Sequence, residues 1–210
     1  VMSHIRLAPK PEDLHAVRIA AGGANLILGC DMVVAAAPAA LSRIEQGVTQ
    51  AVINGYMQPV AAFVLNGDMD LGAESMMKSI RDAAGEEAST FVDGTGLATA
   101  ILGDSIATNL FMLGYAWQKG LVPLSLEALM RAIELNGVAV ESSKRTFDWG
   151  RLAAHNLKAV QAAARLKATW SAGCAGLRTI TTPPCPARPC AAWSARAATP
   201  RASSATGWRG

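Results

Sequence analysis

The chain breaks into short apolar runs separated by stretches of helical period, and each run is long enough only to cross a small sheet once. Leu26 to Asp31, Gln50 to Tyr56 and Ser89 to Gly94 are such runs, each closed by Gly, Asn or Asp. Runs of this length bounded by turn residues read as buried strands. Between them, Leu71 to Gly85 puts Met76, Met77, Ile80 and Ala84 on one helical face and ends in a glycine stop. Strands alternating with helices, and then a helical run, imply a layered α/β domain. A strand is also expected from about His4 to Leu7, where residues alternate, and a strand or extended arm within 60–68. Residues 11–25 have the polarity of a short helix, and Pro38 to Ile44 of another.

Composition agrees. Of 210 residues, 51% are hydrophobic but only 5% aromatic, which favours close-packed helices on a sheet over an aromatic-rich sandwich. The most apolar stretch, Leu26 to Leu41, is interrupted by Gly29, Asp31 and Pro38. A membrane span needs about 18 uninterrupted residues. No secretory order of basic then apolar residues opens the chain, so no membrane association and a cytoplasmic location are expected.

Charge divides the sequence at Ser171. All 16 acidic residues precede it, and five arginines (178, 188, 196, 201 and 209) follow it. Removing those five from 19 basic residues leaves 14 against 16, so residues 1–170 carry −2. That balance offers no basic footprint for nucleic acid. The segment from Ser171 also holds five of the ten prolines and Cys174, Cys185 and Cys190, at spacings unlike a metal cluster. It has neither helical nor strand period. Low-complexity disorder is one reading; a frameshift in GC-rich coding sequence, which yields this mixture of residues, is the one preferred. Resequencing of the locus distinguishes them.

Catalytic signatures are scarce. The sequence has no phosphate-loop, dinucleotide, zinc-protease or nucleophile-elbow motif. Gly94-Thr95-Gly96 follows a strand and opens a helix, where a phosphate could sit, but reads first as a tight turn. Cys30-Asp31 ends a strand, with no adjacent base to activate the thiol. His4 and Arg6 would share one face of the first strand, whereas His15 and His155 are scattered. At Gly103-Asp104-Ser105 a break precedes a helix expected over Ile106 to Lys119. Asp104 or Ser105 caps it, and Ile106, Leu110, Leu113 and Trp117 form its buried stripe. Asn109 then stands as an amide among apolar neighbours, costly unless bonded. It either makes a hydrogen bond, for instance to the loop after Val92, or touches a substrate or partner at the helix mouth.

Two long blocks carry a resemblance. "SHIRLAPKPEDLHAVRIAAGGANLILGCDMVVAAAP" and "FVDGTGLATAILGDSIATNLFMLGYAWQKGLVPLSLEALMRAIELNGVAVESSKRTFDWGRLAAH" are similar to the γ (pyruvate/ketoisovalerate oxidoreductase) domain of fused indolepyruvate ferredoxin oxidoreductases, over about residues 1–166. The resemblance implies a Rossmann-like layered α/β sheet with helices over 1–140, truncated at its N-terminus, a helical extension over 141–170, and an irregular tail over 171–210. The glycine-rich turn that opens such domains is missing before Val1, so an exposed sheet edge and aggregation of the isolated chain are expected.

The family decarboxylates arylpyruvates oxidatively, forming acyl-coenzyme A and reducing ferredoxin. Thiamine diphosphate, Mg²⁺ and iron–sulfur clusters would lie on other domains, coenzyme A would be co-substrate, and no residue of this chain is expected to be catalytic or to bind a metal. "GDS" at 103–105 lacks the Gly-Asp-Gly of a thiamine motif. By this resemblance Asp104, Ser105 and Asn109, with His4 and Arg6 as weaker candidates, face substrate or the thiamine-binding partner domains. The competing expectations are a non-catalytic assembly module and a free-standing binder of a small anion at Gly94-Thr95-Gly96.

Overall fold

A computed structural model of the chain describes residues 1–56 and 72–171. Strands β1 (Leu26–Gly29), β2 (Gln50–Asn54) and β3 (Ser89–Val92) form a parallel sheet in the order β1-β2-β3, with Leu28 opposite Val52 and Val52 opposite Thr90. The turns α1 (Met32–Ala35) and α2 (Pro38–Leu41) connect β1 to β2, and α3 (Ala73–Ala84) precedes β3. Then come α4 (Gly94–Leu102), α5 (Thr108–Gln118), α6 (Leu126–Asn136), α7 (Val140–His155) and α8 (Leu157–Ser171). This is the α/β class expected. The strand or arm expected within 60–68 and the tail after Ser171 lie outside the described residues.

Local chemistry explains most boundaries. Asp31 accepts from the Val33 N–H at 2.9 Å and starts α1. Ser125 accepts from Ala128 at 3.1 Å and starts α6. Asn156 accepts from Ala159 at 3.1 Å at the start of α8. Each side chain satisfies an N–H group that the first helical turn leaves free. Gly103 (φ 89°) and Gly137 (φ 69°) close α4 and α6 in the left-handed region that glycine enters without a Cβ clash.

Alternation along the strands divides the interior. Ala51, Ile53 and Ile27 face α1 and α3, where Met32, Ala35, Ile80 and Ala84 are buried. Val52, Leu28 and Val92 face the opposite side, against a larger core that includes Phe111, Met112, Tyr115, Phe147 and Val160. Helices thus cover both faces of the sheet.

Helices α5 and α7 pack against each other more extensively than any other pair of elements. They are antiparallel, and each brings a glycine onto the other's backbone. A Cβ on Gly114 would lie 2.1 Å from the Phe147 carbonyl oxygen, and one on Gly150 would lie 2.0 Å from that of Phe111. The same spacing, Phe-x-x-Gly, serves both helices: Phe111 to Gly114 and Phe147 to Gly150. Trp117 tilts against Phe147 with ring centroids 6.0 Å apart and donates its indole N–H to the Leu124 carbonyl at 2.7 Å. Arg151, 8% exposed, lies over the Trp117 ring and donates to Gln118 and Asp148, so its charge is paired where it is buried.

The N-terminal segment departs from expectation. His4 to Leu7 is not a strand, and residues 11–25 hold only a short turn, Pro11–Asp13. Alternation makes a strand only when it buries one face and a neighbouring strand takes up its backbone groups. Met2, Ile5 and Leu7 are all exposed although they fall on both faces of the alternation, and β1 pairs with β2.

Among the described residues nothing pairs with the outer side of β1 or β3, and neither strand carries a charged side chain. Uncharged free edges template further strand pairing. Association that grows with protein concentration is therefore expected, and light scattering across a dilution series checks it. A concentration-independent monomer would contradict it.

Between α6 and α7, Glu134 joins Lys144 at 2.8 Å and Arg131 at 3.1 Å. Hydrogen bonding to Lys144 and then Arg131 holds the Glu134 carboxyl below its ordinary 4.5, and Glu134 in turn raises Lys144 above 10.5. A depressed acid adds stability above its unfolded value and loses it as pH falls through the folded one. A raised lysine adds stability below its unfolded value and loses it as pH rises through the folded one. The pair therefore contributes between about pH 4.5 and 10.5, the window set by those unfolded values. All three groups are solvated, so the effect is small. Glu134→Gln should lower stability slightly within that window and leave it unchanged at pH low enough to protonate Glu134, which flattens the acid limb of a stability-against-pH curve, as urea titrations at stepped pH would show.

Candidate functional site

Parallel sheets in layered α/β folds bind ligands beyond the carboxyl ends of their strands. Here that end brings together Cys30, Asn54 and Asp93, from the three strand ends, with the start of α4. Asn54 is 3% exposed and hydrogen-bonds to Cys30 and to the start of α4. Its side-chain N–H groups donate to the Cys30 carbonyl at 3.0 Å and to Thr95 Oγ1 at 2.8 Å. Its carbonyl oxygen accepts from the backbone N–H groups of Gly94 (3.0 Å), Thr95 (3.3 Å) and Tyr56 (3.3 Å). Gly94 is a glycine for a reason: a Cβ there would stand 2.6 Å from the Met112 sulfur.

The hydroxyl of Thr95 lies 3.0 Å from that of Thr108, the first residue of α5 and 6% exposed. Thr108 in turn donates to the Ser105 carbonyl at 2.7 Å. Side chains from β2, α4 and α5 therefore join the sheet end to the turn Ser105–Ala107.

That turn and its flanks carry the site residues favoured by sequence, Asp104, Ser105 and Asn109. Asp104 accepts from the Ile106 N–H at 2.9 Å and caps the turn; α5 itself begins later, at Thr108. Asp104, Ser105 and Asn109 are all exposed. Ile106, expected at the head of the buried stripe, is 81% exposed. The buried face of α5 runs instead through Thr108, Phe111, Met112, Tyr115 and Ala116, with Trp117 the one expected member fully buried and Leu110 and Leu113 half-buried. The tight turn Ser105–Ala107 takes Ile106 out of the helix, and packing against the sheet and α7 selects the face of α5 that is buried.

Of the two readings of Asn109, the hydrogen bond to the loop after Val92 is not made. The polar side chain that bonds the loop after Val92 is its neighbour Thr108, through Thr95, whereas Asn109 has no hydrogen-bond partner among the described residues.

His4 and Arg6 are not brought to this mouth by any hydrogen bond or ion pair. His4 is half-buried and its Nδ1 accepts from the Ile19 N–H at 3.1 Å, which ties the N-terminal segment to the approach to β1; Arg6 is exposed.

The helix start at Gly94-Thr95-Gly96 offers an anion little. Its first N–H groups already donate to Asn54, and that of Gly96 donates to Asp93 Oδ1 at 2.7 Å. Beside it, an open groove of about 440 Å³ runs between α4 and α8, walled by Leu97, Leu157 and Ala164 with Asp93 at its lip. Burial pushes the Cys30 thiol up, which keeps it protonated and unreactive at neutral pH.

Among the described residues no three His, Cys, Asp or Glu side chains gather. None of the described helices is long and apolar enough to cross a membrane. Asn54 and Thr108 were not singled out by sequence, and Thr95 only as part of the candidate anion turn Gly94-Thr95-Gly96. The Asn54-Gly55 signal marks a strand end, and nothing local shows that its amide reaches 41 residues along the chain. Compared with protein-family models, curated proteins and solved structures, the chain matches none.

Proposed function

We propose that this chain is the γ-type, Rossmann-like domain of an indolepyruvate ferredoxin oxidoreductase, a wall that docks on thiamine-binding domains which carry the chemistry. The reading rests on the two sequence blocks, 3–38 and 91–155, and on one structural observation. Asp104, Ser105, Ile106 and Asn109 are exposed at the head of α5, Ile106 at 81%. An exposed apolar side chain on the same short segment as polar ones is the kind of surface that interfaces bury.

In the whole enzyme an arylpyruvate loses carbon dioxide, its acyl group passes to the sulfur of coenzyme A, and the electrons released reduce ferredoxin. Thiamine diphosphate with Mg²⁺ and iron–sulfur clusters supply that chemistry from the partner domains in the cytoplasm. This chain contributes surface and no reacting group.

The test is reconstitution. The full chain, mixed with the thiamine-binding part of an indolepyruvate ferredoxin oxidoreductase, should comigrate with it on size exclusion. Ile106→Asp should weaken the complex about tenfold or more. Failure to comigrate, or turnover of indolepyruvate by the chain alone, would overturn the proposal.

A further inference from the structure

We infer that Asn54, Thr95 and Thr108 are positioning residues that hold the exposed turn Asp104–Ala107 through a hydrogen-bond relay running in one fixed direction. The direction follows from proton counting. A carbonyl only accepts, so the single hydroxyl proton of Thr108 is committed to the Ser105 oxygen. In the contact between Thr95 and Thr108, Thr95 must then be the donor. With its own proton committed, Thr95 Oγ1 can only accept from the Asn54 amide, as the 2.8 Å contact requires. The second Asn54 proton is on the Cys30 carbonyl. Every proton in the chain is assigned, from β2 to the mouth.

Two features make this more than packing. Asn54 and Thr108 are 3% and 6% exposed, so water cannot take over a lost bond cheaply, whereas the turn they hold is exposed throughout Asp104 to Ile106. The Ser105 carbonyl also receives the Thr108 backbone N–H, so the relay ends on the atom that closes the turn. The Ser105 hydroxyl and the Asn109 amide meanwhile stay outside the relay. A fully satisfied network, buried at Asn54 and Thr108 and half-buried at Thr95, thus fixes the orientation of a surface patch. The use of that orientation by a partner rests on the docking proposed above; the relay itself does not.

Hydrogen exchange on the full free chain tests it. Thr95→Val keeps the shape and removes both relay bonds, and Thr95→Ser keeps the hydroxyl. In Thr95→Val the amides of Ile106 and Thr108 should exchange about tenfold faster, while that of Ala128, held by Ser125 at the start of α6, is unchanged. Thr95→Ser should behave as the unmodified chain. If Thr95→Val does not fold, Thr108→Val is read in the same way at Ile106. Unchanged exchange at Ile106 and Thr108, equal acceleration at Ala128, or failure of Thr95→Ser to restore protection would overturn the inference. Affinity for the thiamine-binding domains is the separate arm. Faster exchange with unaltered affinity would leave the relay standing and remove the docking role of the turn.

Discussion

Gly150→Ala is expected to lower the stability of this protein by at least about 3 kcal/mol, although helix propensity alone favours the change. Replacing a glycine inside a helix by alanine ordinarily gains about 1 kcal/mol. Gly150 lies within α7, so propensity predicts a rise in the urea midpoint. Sterics predict the opposite, because the added methyl would sit 2.0 Å from the Phe111 carbonyl oxygen and 3.0 Å from the Tyr115 nitrogen. Backbone cannot rotate aside as a side chain can, so α5 and α7 must separate along their whole contact. That separation loosens Phe111 and Phe147, both fully buried. The sign of the change therefore decides between the two effects. Gly114→Ala should act alike through the Phe147 carbonyl, and the double variant should cost less than the sum, since the first separation makes room for the second. Urea unfolding followed by tryptophan fluorescence reads it directly, because Trp117 and Trp149 lie in the same core. A midpoint that rises would show that the close crossing does not persist in solution.

Asn54→Leu is expected to cost about 3 kcal/mol or more. The substitution is nearly isosteric, and leucine at a buried site would otherwise be favourable. It strands the N–H groups of Gly94 and Thr95 and the carbonyl of Cys30, all of which Asn54 satisfies. Each buried group left without a partner costs about 1–3 kcal/mol, against about 2 kcal/mol gained from burying an isobutyl group. Coupling to Thr95 is the diagnostic. Thr95→Val should cost less in the Asn54→Leu background than alone, because the bond it would break is already gone. Additive losses would mean that the two residues contribute independently.

Much of the fold was legible from local sequence. The strands at 26–29, 50–54 and 89–92 follow from short apolar runs ended by turn residues, and α3 and α6 follow from helical period with Gly85, Ser125 and Gly137 at their ends. These signals act within a few residues of where they are written. The first segment shows the limit of the same logic. His4 to Leu7 alternates as a strand does, but alternation states a preference for a neighbour and cannot supply one.

The candidate site was half legible. That Asp104 or Ser105 makes a cap after Gly103 could be read from Gly103-Asp104-Ser105 alone, whereas the separate turn that Asp104 caps before α5 could not. Which of Thr108 and Asn109 turns inward could not, because successive helical residues point about 100° apart and only packing against the rest of the fold selects the buried one. Asn54, reaching Thr95 across 41 residues, had no local mark beyond the glycine that follows it.

The amino-acid order alone determined the class of fold, the positions of the three paired strands and those of several caps. It did so because hydrogen-bond capping, turn geometry and apolar periodicity are short-range. Only the tertiary structure decided that Gly114 and Gly150 let two helices touch backbone to backbone, that Asn54 anchors the mouth, and that Ile106 is left in solvent. Those outcomes depend on which surfaces meet, and that is set by the joint packing of segments far apart in the chain.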